Sequence, residues 1–153
     1  MINKELLKDF MKAVRQSTLK RLLKVPEGYE HWKISSRSLS FAEVTKHLID
    51  IDEWTINKIN NPELKSVETQ TAVMNECSRE KFIKLIDGLK ELLDKKLKYI
   101  DGFSEDELKR KIYDDSYNTE MSMAMFILRR NLDHEIHHRG QLAVYLRVIE
   151  DSQ

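Results

Sequence analysis

The feature that most constrains this chain is its shortage of turn-makers. It carries 4 glycines and 2 prolines in 153 residues, about 4% against an ordinary share near 12%. A β-sandwich or an α/β fold places many such residues in its turns. Long helices with few connections are therefore expected, an all-α fold. The length is that of about one domain, and no repeat, low-complexity tract or linker divides it, so residues 1–153 read as a single domain able to bury a substantial core.

Several function classes fall away on composition. Lys and Arg number 26 and Asp and Glu number 26, a formal net charge of zero. Interspersed charges of both signs give no electrostatic case for nucleic acid, whose phosphates need a basic surface. A single cysteine, Cys77, excludes a disulfide framework and fits a reducing compartment. No apolar run approaches the roughly 20 residues of a membrane helix. The amphipathic, acid-containing N-terminus is neither a signal nor a transit peptide. The expectation is a cytoplasmic protein without a membrane partner.

Hydrophobic periodicity marks four helical segments. Residues 3–24 space Leu7, Met11, Val14, Thr18 and Leu22 three and four apart, and Pro26 and Gly28 follow. A second helix starts at Ser40, where Ser40-Phe41-Ala42-Glu43 reads as a capping box. Its inward stripe is Phe41, Val44, Leu48, Ile51, Thr55 and Ile59, closed by Asn60-Asn61-Pro62. Residues 75–100 form a third, with Gly88 inside it and Asp101-Gly102 after it. Ser104 caps one short turn, and Lys111-Ile112-Tyr113 reads as a brief extended piece. Residues 119–150 form the fourth helix, with one glycine and no proline. Four such helices joined by long 25–39 and 60–74 connections predict a four-helix bundle with room for a crossover.

Three of the five histidines fall in Asp133-His134-Glu135-Ile136-His137-His138-Arg139-Gly140-Gln141. His134 and His138 lie one turn apart and about 40° around the helix, so two imidazoles can reach one ion. His137 sits about 100° from His138 and does not easily join them. The same face continues through Ile127, Gln141 and Tyr145, which points the pair toward the core. His47 lies at the edge of the second helix's buried stripe. Alone it would read as a satisfied core residue. With an inward pair to meet, it completes a three-histidine site with an open position, the catalytic pattern for zinc. Glu43 and Asp50 flank His47 and are candidates to orient it.

The run from His134 to His138 also matches H-E-x-x-H, the zinc-protease signature with Glu135 as base. Such proteases need a further ligand, and only 15 residues follow His138, none of them His. The protease reading is rejected.

At His47 together with His134-x-x-x-His138-Arg139-Gly140-Gln141, the chain resembles the DinB/YfiT-like superfamily. The Ser40-Phe41-x-Glu43-x-x-x-His47-Leu48 stretch is similar to that family's second-helix motif, and residues 131–146 to its last. The loop Trp32-Lys33-Ile34 departs from the pattern in lacking a proline after the tryptophan. The resemblance implies a four-helix bundle with a crossover, usually dimeric, holding one divalent transition metal, zinc or nickel, on three histidines. Carried over, the ligands are His47, His134 and His138. Members with assigned chemistry include transferases and isomerases that use low-molecular-weight thiols, and others are described as metal-dependent hydrolases.

The leading expectation is therefore a metal-dependent enzyme, a hydrolase or a low-molecular-weight-thiol transferase, acting on a small molecule. Gln141 and His137 are the candidate catalytic residues beside the metal. Gln141 could bond substrate or a ligand imidazole, and His137 could serve as a base beside the site. Tyr145 reads as core packing. The rival is a non-catalytic helical module with a structural metal or none. Met125, Leu128, Leu132, Ile136 and Ala143 form a second apolar strip on the last helix, through which a homodimer is expected to pack. Gly140 is expected to permit close helix approach. Cys77, near the start of the third helix, could have its pKa lowered by the dipole, but no histidine lies nearby to make it a nucleophile. His31 has no spacing argument.

Overall fold

The computed structural model describes residues 2–66 and 74–152. Three long helices appear where the periodicity places them. The first, α1 (Lys4–Leu22), is capped by Asn3, whose side chain accepts from the Leu6 N–H. The second, α2 (Phe41–Asn60), opens on the expected capping box: Ser40 Oγ accepts from the Glu43 N–H at 3.1 Å, and the Glu43 carboxylate accepts from the Ser40 N–H at 2.8 Å. The third, α3 (Arg79–Asp101), begins four residues later than expected, because Ser78 supplies the cap. The 60–74 connection lies only partly within the described residues.

The last segment differs from one straight helix over 119–150. A capped turn, α4 (Glu105–Lys109), leads into β1 (Lys111–Asp114), which pairs antiparallel with β2 (Thr119–Ser122). Asn118 takes φ +50° at the hairpin turn, a conformation its short polar side chain tolerates. Helix begins only at Met123, where Ser122 caps α5 (Met123–Ile127). A π turn over Leu128–Leu132 then leads without a break into α6 (Asp133–Asp151). The strand pairing claims Thr119–Ser122, and a π turn depends on tertiary contacts that a 3.6-residue period does not report.

Two apolar cores form. One gathers Leu7, Met11 and Val14 of α1, Trp54 and Ile59 of α2, Ile100 of α3, and Phe126, Ile127 and Leu132. The other gathers Leu22 and Val25, Phe41, Val44 and Leu48, Phe82, Ile86 and Leu89, and Leu142, Tyr145 and Ile149. These memberships set the helix directions: α1 and α6 run from the first core to the second, whereas α2 and α3 run from the second to the first. The neighbours α2 and α3 pack side by side and run parallel, the arrangement of a bundle with a crossover connection. Between the cores sits a polar layer to which every long helix contributes.

One glycine expectation changes. Gly140 is exposed, and a Cβ there would meet nothing within 4 Å, so it does not serve close packing within the chain. Gly88 lies at the contact of α3 with α2, where an added Cβ would stand 3.4 Å from Ile49 Cδ1, an ordinary contact distance. The expected outward strip on the last helix is also divided. Met125 is exposed, but Leu132 is fully buried in the first core, and Leu128 and Ile136 pack against it. The extra residue of the π turn rotates the downstream helix by about 100°, which breaks a strip drawn at constant period. No helix among the described residues is long and apolar enough to cross a membrane.

Candidate metal centre

The polar layer holds two adjoining groups. The first is the three histidines. Helix α2 contributes His47 and α6 contributes His134 and His138, and their ligand nitrogens lie within 4.8 Å of one another. His134 Nε2 is 2.7 Å from His47 Nε2 and 3.0 Å from His138 Nε2. The rings crowd to centroid distances of 4.7–4.9 Å. Among the described residues, this is the group of His, Cys, Asp or Glu side chains that could hold an ion.

Burial holds these rings neutral. Desolvation, followed by repulsion from His138 and His47, pushes His134 down to about 3. Desolvation pushes His138 to about 4, against a hydrogen bond to Gln141 that favours the charged form. His47 is lowered by burial, with Asp50 opposing. Neutral imidazoles carry the lone pairs that metal binding needs. Three nitrogens about 2.0–2.1 Å from one tetrahedral ion stand roughly 3.3 Å apart, so the two pairs at 2.7 and 3.0 Å would open slightly and His47 and His138, within 4.8 Å of each other, would draw together. The donor set and its spacing fit a divalent transition metal.

Gln141 and His137 fall into place behind this group. His138 Nδ1 donates to Gln141 Oε1 at 2.8 Å, which leaves the His138 Nε2 lone pair facing the other two rings. The Gln141 amide in turn donates to His137 Nε2 at 3.3 Å. His137 itself is exposed and stacks edge-on against His138 at 5.1 Å. This chain fixes the tautomer of one candidate ligand, the usual role of an outer hydrogen bond at a metal site.

Other expected helpers are engaged elsewhere. Glu43 accepts from the N–H groups of Ser40 and Met74 and pairs with Lys33 at 3.0 Å. Asp50 pairs with Lys46. Tyr145 is core, packed edge-on against Phe41 and Trp32, both at 5.6 Å. Cys77 precedes the cap of α3 and is buried, and burial raises its thiol pKa instead of the dipole lowering it. His31 is exposed in its loop.

The second group escaped the sequence reading. Arg15 Nε and Nη2 each donate to one Glu135 oxygen at 2.9 Å, Nη2 also reaches Asp52 at 2.7 Å, and Nη1 donates to the Leu89 carbonyl at 2.6 Å. Lys96 Nζ donates to Asp52 Oδ1 at 2.7 Å and to Asn131 Oδ1 at 2.8 Å. The Asn131 amide donates to Asp52 Oδ1 and Thr55 Oγ1. All are at most 3% exposed. Arg15 is held fully charged: burial opposes this, but Asp52 and Glu135 outweigh it. Burial likewise works against the Asp52 carboxylate, and Lys96 with Arg15 still holds its pKa below the usual value. Glu135, the would-be protease base, is thus bound through both oxygens to an arginine. The available signal was a charged residue inside an apolar stripe, as in Leu48, Asp52, Thr55, Ile59.

Comparison with known proteins places this geometry. Two solved structures superpose on nearly the whole chain and share its fold. A DinB-like protein of Bacillus subtilis, YjoA, is 22% identical over 94% of this chain and 91% of its own, with a TM-score of 0.67. An uncharacterised protein from Clostridium difficile 630 is 14% identical over 97% of this chain and 98% of its own, with a TM-score of 0.71. No curated protein matches the sequence significantly. The DinB family model matches residues 1–149, and the chain therefore belongs to the DinB family.

Proposed function

We propose that this protein is a metal-dependent enzyme acting on a small molecule, with His47, His134 and His138 as the ligands of one divalent ion, zinc or nickel. The observation that carries the reading is the convergence of three half-buried to buried neutral imidazoles, two from α6 and one from α2, within 4.8 Å. Three protein ligands leave a position open, the arrangement of catalytic sites and not of closed structural ones. The ion would supply a Lewis acid that acidifies a water molecule or a thiol joining it. A hydrolase uses the first, and a transferase for low-molecular-weight thiols uses the second. The chain's own part is to hold three lone pairs convergent, to fix the His138 tautomer through Gln141, and to keep the rings unprotonated. His137, exposed beside them, is placed to exchange a proton with solvent.

Metal analysis of untagged protein tests the first step, with about one equivalent of metal per chain expected. Turnover by the loaded protein, of electrophiles with a thiol and of ester and amide substrates without one, tests the second. A metallated protein inactive on both would be a binding module.

A homodimer belongs to the same proposal. Ile2, Leu6, Phe10 and Leu128 line an apolar surface concavity of about 420 Å³, and Leu6 is 57% and Phe10 41% exposed. Light scattering at micromolar concentration is expected to give twice the chain mass.

A further inference from the structure

We propose that the buried network of Arg15, Asp52, Lys96, Asn131 and Glu135 is the positioning device of the histidine site, and that Asn131 holds the π turn in the register that aims His134 at His47. The inference rests on the metal reading above.

Stability does not account for the network. Desolvating four charges is costly, and apolar side chains of similar volume in such places often leave a protein as stable or more so. Geometry does account for it. The network ties every long helix beside His134: Arg15 from α1, Asp52 and Thr55 from α2, Lys96 from α3, Glu135 from α6. It also grips both flanks of His134, through Asn131 three residues before it and Glu135 immediately after.

The π turn is where such a grip matters. Its one extra residue sets the rotation of the whole helix beyond it, and relaxation to ordinary α-helix would swing His134 about 100° around the axis. Asn131 lies within that turn. Its carboxamide is held at both ends, with Oδ1 accepting from Lys96 and Nδ2 donating to Asp52 and Thr55. Helix α2 carries both these anchors and His47. The same two segments therefore meet twice, once through Asn131 and once through the imidazoles, and the first contact fixes the second. Asn131 touches no imidazole in this set of bonds, so it is a positioning residue.

Asn131→Leu removes the grip and leaves Lys96 paired with Asp52. Leu108→Ala, in α4, serves as a control for stability loss alone. Two readouts apply: cobalt(II) titration followed by the visible spectrum of the bound ion, and, in metal-free protein, the nuclear Overhauser effect between ring protons of His47 and His134. Asn131→Leu is expected to weaken cobalt about 10–100-fold, to alter the spectrum, and to lose the inter-ring effect. Leu108→Ala, at an equal or larger drop in Tm, is expected to keep all three as in wild type. If Asn131→Leu does not fold, Thr55→Val removes one of its bonds and is expected to weaken cobalt about threefold to tenfold, on a scale below that of a full outer-shell loss. Wild-type affinity, spectrum and inter-ring effect in the Asn131 or Thr55 variant would overturn the proposal, as would an equal loss in Leu108→Ala. A wild type that binds no cobalt would overturn the metal reading alone, and the inter-ring effect in metal-free protein would still decide whether Asn131 positions His134.

Discussion

Two polar groups share the middle layer of this bundle, and they are built on opposite principles. In the network, two cations face two carboxylates, and Arg15 alone makes four hydrogen bonds. That group is closed, with every charge answered within the chain. In the histidine group, three neutral rings of one kind face each other, and burial and mutual repulsion hold two of them at about 3 and about 4. Identical groups cannot all donate and accept to one another at a single point. The contrast sets two kinds of buried polarity side by side: a complementary set that pairs within itself, and a non-complementary set that could hold a cation.

The comparison is broken most sharply by opening the closed group. Arg15→Ala strands Asp52 and Glu135 in the core, and loss of one partner from such a network costs about 3–5 kcal/mol. Urea unfolding should show stability fall by that amount. A loss under about 1 kcal/mol would mean that water enters to replace the guanidinium.

Opening the other group should do the reverse. His47→Ala is expected to weaken metal binding by at least about 100-fold, above the 10–100-fold range of outer-shell changes, and to leave metal-free stability within about 1 kcal/mol, since no charge is stranded. Competition with a chelator and thermal melts measure the two. If the variant does not fold even with metal absent, the histidines are structural.

Acid tests the same asymmetry. An unfolded histidine titrates near 6.5, whereas His134 and His138 in the fold titrate at about 3 and about 4. Below 6.5 the unfolded chain takes up protons that the folded chain refuses, so this contribution is intact above about pH 6.5. It is lost progressively as pH falls, until the folded pKa values are passed. Protons compete with metal over the same range. Melts from about pH 7.5 to about pH 4.5 should show Tm falling with pH, and more shallowly in His134→Ala, which removes the more depressed group. A variant slope as steep as wild type would assign the acid response elsewhere.

The smallest effect expected is that of Gln141→Ala. It frees His138 Nδ1 without stranding a charge, and metal affinity should drop about 10-fold, with Tm of the metal-free protein nearly unchanged. Isothermal titration resolves a change of that size.

Much of the fold was readable because it is local. The caps at Ser40 and Ser104 depend on residues three apart, and the stripe from Leu7 to Leu22 is buried throughout. The place of His134 beside His138 follows from helical geometry alone. The structure departs from periodicity where more than the helix's own repeat decides. Thr119–Ser122 continues a helical-looking segment but pairs with Lys111–Asp114. The Met125 and Leu132 positions part company at a π turn. Gly140 looked like a packing site and faces open space. Arg15 and Lys96 read as ordinary charges on amphipathic helices, and nothing in their own neighbourhoods says that each meets an acid from another helix.

By itself, then, the sequence determined helix content, most helix ends, and the pairing of two imidazoles on one turn, because these follow from backbone geometry and contacts within about four residues. His47 is expected from its stripe to join them, and the fold brings it there across 87 residues. Tertiary structure alone decided that the last helix carries a π turn and that a balanced charge network lies beneath it. Those outcomes depend on which faces meet when four helices exclude water from a shared interior, where an unanswered charge is too costly to keep and its partner must come from another segment.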